Sequence, residues 1–339
     1  MSIATRSIRS FIVGDRRLVP SFRVIALWLA CCMLITCSGI ANAETAKVQL
    51  GEASLTSGIS GSEALKQSEI DVWIADPANH EEIEFELPLG LASGAGMIRG
   101  INENPLTRAK IELGRQLFFD TRLSGDNTVS CASCHRPDHG YAAPTQFGVG
   151  IRDQLTGVNS PTSYNRILSD KQFWDGRADS LEEQAKGPIA APGEMGNTHE
   201  QAVKTVDGIE GYKKQFLVVF PDDGVTIDTI AKAIASFERA IVTGPSPFDY
   251  AEALRPYDDY EAEDFEELQE EDPEEYANYV KLKGLAAKHP MSESALRGRE
   301  LFFSEKTNCT ACHVGANLTD EKYHNIGIGM LDEEPLSGR

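Results

Sequence analysis

Cys131-Ala132-Ser133-Cys134-His135 places two thiols and an imidazole within five residues, and Cys309-Thr310-Ala311-Cys312-His313 does so again. C-x-x-C-H is the attachment signature of a c-type haem. The two-residue spacer lets both sulfurs reach the vinyl groups on one porphyrin edge. The histidine that follows then lies under the ring as the proximal ligand of the iron. A zinc site would need two further ligands close by, and a thioredoxin-like redox pair has no use for the adjoining histidine. Two such motifs in one exported chain point to two covalently bound haems, carried by Cys131, Cys134 and His135 and by Cys309, Cys312 and His313.

The elements that must present these motifs repeat as well. Gly114-Arg115-Gln116-Leu117-Phe118-Phe119 precedes the first motif and Gly298-Arg299-Glu300-Leu301-Phe302-Phe303 the second. One small haem domain, duplicated, would give this pattern. Leu106, Ile111, Leu113, Leu117 and Phe118 form a helical apolar face, and a Gly-rich loop between Gly140 and Pro161 has a length suited to covering a haem. Ser180 with Glu183 reads as a capping box. After Thr226, Ile227, Ile230, Ile234, Phe237 and Ile241 fall on one helical stripe, which Gly244-Pro245-Ser246-Pro247 ends. Ser292 is placed to cap the helix that leads to the second motif.

The chain has 339 residues and a formal net charge of −20. Its first 43 residues read as an export signal. Five arginines from Arg6 to Arg23 precede an apolar run from Val24 to Ile35, and Ala41-Asn42-Ala43 offers a cleavage site before Glu44. The run is shorter than the ~20 residues that span a bilayer, which disfavours a retained anchor. Thr36 is bulky before Cys37, which disfavours a lipoprotein. Cleavage would remove Cys31, Cys32 and Cys37 and leave only the four motif cysteines. It would also leave 27 basic against 51 acidic residues, a net charge of −24. So acidic a protein does not bind nucleic acid through phosphates, and it would steer a basic soluble partner toward itself.

Residues 44–104 show no clear periodicity and read as a leader segment wrapped loosely on the body. Residues 105–246 read as the first haem domain and 291–339 as the second. Between them, at 247–290, lies an insertion whose residues 257–275 carry twelve acidic side chains and no basic one. It reads as a solvated, partly helical segment, or more sharply as a docking surface.

With these residues in view, the chain resembles the bacterial di-haem cytochrome c peroxidase family, which includes the MauG-type enzymes. The resemblance runs from about Asn104 to the last residue. It rests on Asn104-Pro105-Leu106-Thr107, the Leu-Phe-Phe repeats, both haem motifs, Asn159-Ser160-Pro161-Thr162, Phe173-Trp174-Asp175-Gly176-Arg177-Ala178, Pro192-Gly193-Glu194-Met195-Gly196 and His324-Asn325-Ile326-Gly327. It implies an all-α fold of two cytochrome c-like domains whose haems face a shared interface. It further implies that the haem on His135 meets peroxide, that Trp174 relays electrons between the haems, and that Gln184 and Glu194 line the distal pocket. A carboxylate held there can carry a proton between the two peroxide oxygens. The family also places a calcium ion at the interface, for which Asn159 matches the side-chain ligand.

Two departures stand out. Many members carry a histidine about sixteen residues after the proximal one that blocks the peroxide haem until the other is reduced; here that position is Ile151. His139 is too close to the attachment motif to serve. The family also continues well beyond this chain's end, 26 residues after His313, and there supplies the second haem's axial ligand. The second domain is therefore expected to be incomplete in this chain, with Met330 a poor substitute ligand. The expectation is a periplasmic peroxidase, with or without homodimerisation, that takes electrons from a small basic c-type cytochrome or cupredoxin and reduces hydrogen peroxide. A MauG-like oxidase of protein side chains and a non-enzymatic carrier are the alternatives. A pure carrier has no need of the distal Gln184 and Glu194.

Overall fold

Helix starts in this chain are written by side chains that accept a backbone N–H. Thr107, Ser180, Thr198, Thr226, Ser246, Asp272 and Ser292 each accept from the residue three positions on. Each such cap contributes about 1 kcal/mol. The capping box expected at Ser180 is half formed, because the Glu183 carboxylate accepts from Asp179 N–H instead of that of Ser180. The computed structural model describes residues 47–56, 59 and 66–324. The export signal with its cleavage site, and Met330, lie outside them. Among the described residues no helix is long and apolar enough to cross a membrane.

The α-helices are α1 (Ala53–Thr56), α2 (Gln67–Ala75), α3 (Arg108–Phe119), α4 (Cys131–Cys134), α5 (Leu181–Ala190) and α6 (His199–Asp207). They continue with α7 (Glu210–Val219), α8 (Ile227–Ala240), α9 (Pro247–Leu254), α10 (Ala262–Glu271), α11 (Pro273–Lys288) and α12 (Glu293–Phe302). Strand structure is confined, among the described residues, to the parallel pair β1 (Val48–Gln49) and β2 (Phe85–Glu86) and isolated bridges.

The core is built where α3 crosses α8. Ile111, Leu113, Leu117 and Phe118 meet Ile230, Ile234 and Phe237, all fully buried. Full burial of such a side chain stabilises by about 1.5–3 kcal/mol. The crossing is close because position 114 lacks a side chain: a Cβ there would lie 1.8 Å from Ala233 O. Its counterpart in the repeat, Gly298, has nothing within 4 Å. Gly114→Ala should therefore destabilise the fold by about 3 kcal/mol, at the upper end of overpacking costs. Gly298→Ala should be neutral or gain up to about 1 kcal/mol of helix propensity. Urea unfolding of the two variants checks the pair.

The described residues within 44–104 depart from the loose wrapping that the segment's irregular pattern predicts. Leu50, Leu55, Leu87 and Leu91 are buried in the main core. Apolar residues spaced along turns and short bridges show no single period, so the pattern conceals their burial. Arg239, only 2% exposed, forms a two-pronged ion pair with Glu182, and Asn104 Nδ2 donates to the same carboxylate at 2.9 Å. Burial pushes the Glu182 carboxyl up, but the guanidinium wins and holds it below the ordinary range.

The acidic insertion is folded. Phe265 stacks on Tyr279 at 4.4 Å and Tyr257 lies 4.9 Å from the same ring, so α10 and α11 share a small aromatic core. All twelve acidic residues between Tyr257 and Glu275 are exposed. Helix α12, the repeat of α3, is differently placed: Leu301 is 48% exposed, whereas Leu117 is fully buried.

Candidate haem site

The first motif starts a one-turn helix, α4, in which Ser130 N–H donates to Ser133 Oγ at 2.9 Å. His135 follows, its N–H donating to Cys131 O at 2.9 Å. Its Nδ1 lies 2.9 Å from Pro161 O and 3.3 Å from Tyr141 O. Between two carbonyl oxygens a ring nitrogen can only donate, so Nδ1 carries the hydrogen and Nε2 keeps its lone pair. Burial also holds the imidazole below its ordinary pKa, in the neutral form that ligates metals. A histidine oriented by a backbone carbonyl in this way has the usual second contact of a metal ligand. Phe118, at the end of α3, packs beside the ring at a centroid distance of 6.4 Å.

Cys131, Cys134 and His135 open into a cavity of about 470 Å³, within the size range of small-molecule and cofactor sites. Asn159, Trp174, Gln184 and Glu194 line the same cavity. Gln184 comes from α5. Glu194 comes from a turn held from several sides: Ile151 N–H donates to Glu194 O at 2.8 Å, and Gly125 N–H to Met195 O at 2.8 Å. Gly150 permits this approach, since a Cβ there would sit 2.1 Å from Gly193 O. Burial raises the Glu194 carboxyl pKa, against the opposing pull of Arg177. Arg177 itself lies over the Phe173 ring at 3.6 Å. Burial pushes the Cys131 thiol up to about 12 and raises Cys134 as well, so both sulfurs are thiols.

Trp174 is 58% exposed, and its Nε1 donates to Asn159 O at 2.7 Å. Asn159 Nδ2 donates to Thr145 O at 2.6 Å. Among the described residues, no cluster of three or more His, Cys, Asp or Glu side chains is arranged to hold a metal ion. Ile151 is buried and its Cδ1 packs under Gly196. His139 stands beside Asp138 at 3.7 Å, half-exposed, and His199 Nε2 contacts Lys186 O at 2.9 Å. Neither lines the cavity, so among the described residues His135 is the one histidine in its wall.

The second motif repeats the local geometry outside that cavity. Phe302 lies 5.8 Å from the His313 ring, as Phe118 does beside His135, and His313 Nδ1 is 3.0 Å from Leu318 O. The chain after it docks on the segment that leads to Trp174. Glu321 accepts from Ser169 Oγ and Asp170 N–H, Asn165 donates to Asn317, and Tyr323 covers Gly176.

Met195, part of the Pro192–Gly196 motif, lines the cavity too, and so do Arg166 and Glu238, which sequence reasoning passes over. For Glu238 the signal was present: it stands one turn after Ile234, on the apolar stripe of α8. Its Oε2 is buried with no hydrogen-bond partner among the described residues. Two thiols, a ring nitrogen with a free lone pair, a cavity of this volume and an orphaned buried oxygen together fit a covalently held haem.

Residues 108–255 match the family model described as di-haem cytochrome c peroxidase. The chain is 36% identical over 230 residues to the cytochrome c551 peroxidase of Nitrosomonas europaea, covering 67% of this chain and 59% of that protein. It is 34% identical to the methylamine utilization protein MauG of Methylophilus methylotrophus, covering 68% of this chain and 59% of that one. The chain thus spans about three fifths of the length of these relatives. Among solved structures, a MauG-like protein associated with microbial copper homeostasis is similar at a TM-score of 0.54 and 25% identity, over 68% of this chain and 62% of that one.

Proposed function

Through residues 108–255 the chain belongs to the di-haem cytochrome c peroxidase family, and on that premise we propose that it reduces hydrogen peroxide to water in the periplasm. The observation that carries this reading is the single cavity in which a c-type attachment site meets Gln184, Glu194 and Trp174. A haem bound there would supply the redox chemistry at iron. The protein's part is to hold and move protons. His135 keeps Nε2 free by donating from Nδ1 to Pro161 O. Glu194, on its clamped turn, takes the proton from the nearer peroxide oxygen and gives it to the departing one. Gln184 has a carbonyl and an amide with which to orient the peroxide. Two electrons and two protons per peroxide give two waters.

Electrons would enter at the haem on His313 and pass by way of Trp174, whose loop touches the segments that follow both motifs. A calcium ion with Asn159 as side-chain ligand, and a homodimer, belong to the same reading. The test is peroxide turnover by the haem-loaded protein with a reduced small c-type cytochrome or cupredoxin. Two equivalents of one-electron donor oxidised per peroxide are expected. A fully haem-loaded protein that oxidises no donor would overturn the reading. The similarity to MauG supports a second reading, in which a protein side chain supplies the electrons. Peroxide consumption without a small donor, but with a modified protein product, would select it.

The donor would dock on the acidic surface of α10 and α11. Replacing Glu266, Glu267, Glu270 and Glu271 by Gln should slow turnover with a basic donor at low salt. The difference should fade as ionic strength rises and screening shortens the field. Equal rates for both forms at low salt would leave α10 and α11 as solvated structure only.

A further inference from the structure

We propose that Glu238 is a positioning residue for the haem, donating a hydrogen bond from its carboxyl Oε2 to a propionate oxygen. The inference rests on the haem reading of the cavity. Glu238 lies on α8 one turn beyond Ile234, and both line the cavity that receives Cys131, Cys134 and His135. The residue is 6% exposed and Oε2 has no hydrogen-bond partner among the described residues. Leaving such an atom unpaired costs about 1–3 kcal/mol, so its position in the wall calls for a partner inside the cavity.

The neighbouring cations give Glu238 charge but no bond. Arg239 is paired with Glu182 and donates from Nε to Arg99 O. Arg166, in the same wall, directs Nε to Gln172 and Nη2 to Lys171 O. Burial outweighs both positive charges and pushes the Glu238 carboxyl up to about 8, so at neutral pH it carries a hydrogen. A protonated carboxyl is a donor. A haem brings two propionates as its hydrogen-bonding substituents, and a bond from a neutral acid to a carboxylate is of the short, charge-assisted kind. An ionised Glu238 would repel the same group.

The experiment uses the full chain with both haems attached, and two substitutions. Glu238→Gln keeps an N–H donor at the same reach, and Glu238→Leu removes it. Covalent haem content is measured first: a native protein without haem on Cys131 and Cys134 overturns the cavity's assignment itself, whatever Glu238 does. In loaded protein, resonance Raman reads the propionate bending modes, and spectroelectrochemistry the midpoint potential of the His135 haem. Both quantities should stay near native in Glu238→Gln and shift in Glu238→Leu. A loaded Glu238→Leu protein with native propionate modes and native potential would overturn the proposal and leave a water as the partner of Oε2. If Glu238→Leu fails to mature, native protein moved into D2O decides. Propionate modes that shift with the exchangeable hydrogen of Oε2 support the bond, and modes that do not shift overturn it.

Discussion

Glutamine in place of Glu194 is expected to lower peroxide turnover by ~10²-fold or more, the usual size of a lost acid–base group. Haem content and the resting spectrum should stay close to native. The two outcomes separate because Glu194 owes its position to backbone contacts that the substitution leaves in place. Ile151 N–H still reaches its carbonyl, Gly125 N–H still reaches Met195 O, and Gly150 still admits the turn. Glutamine matches glutamate in reach and volume but cannot carry a proton from one oxygen to another. Burial already raises the Glu194 carboxyl toward the neutral range, against the pull of Arg177, and a pKa nearer the working pH suits a group that must both take and give a proton. Turnover is followed as donor oxidation at saturating peroxide, so that weakened binding does not imitate lost chemistry. Near-native turnover in the variant would remove Glu194 from the proton path and shift the role to another group in the wall.

The features legible in the sequence are those whose physics is local. Caps at Ser180 and Ser292 announce themselves because a short oxygen three residues before a free N–H serves any helix. The motif cysteines and histidines announce themselves because covalent attachment fixes their spacing. The apolar stripes of α3 and α8 follow from a period of 3.6 residues. What stayed hidden depends on partners far along the chain. Leu50 and Leu87 read as parts of an irregular leader and are core. Glu238 interrupts the apolar stripe of α8, and only the fold shows that Arg239 beside it meets Glu182, 57 positions away, while Glu238 Oε2 has no hydrogen-bond partner among the described residues. The repeat likewise made Gly114 and Gly298 look equivalent. Only the crossing partner, present for α3, separates them.

The haem on His135 is expected to be open in the fully oxidised protein and to react with peroxide before the other haem is reduced. Among the described residues, a second strong ligand would have to come from the cavity wall. The position from which many family members extend a blocking histidine is Ile151, and its side chain is packed under Gly196. His139 stands out beside Asp138, and His199 is turned to Lys186 O. Gln184 and Glu194 are poor ligands for ferric haem. Met195 is the one neutral ligand type left in the wall besides the attachment residues: its side chain is buried there and its backbone is fixed by Pro188 O and Gly125 N–H. The resting protein should therefore show a high-spin ferric component by spin resonance, and mixing with peroxide should give reaction with no lag. Met195→Leu should leave both observations unchanged, because a thioether held for packing is replaced by a side chain of similar volume. A purely low-spin resting spectrum that becomes high-spin in Met195→Leu would show that Met195 closes the site. A lag removed only by prior reduction would show the same of any ligand that the reduced state releases.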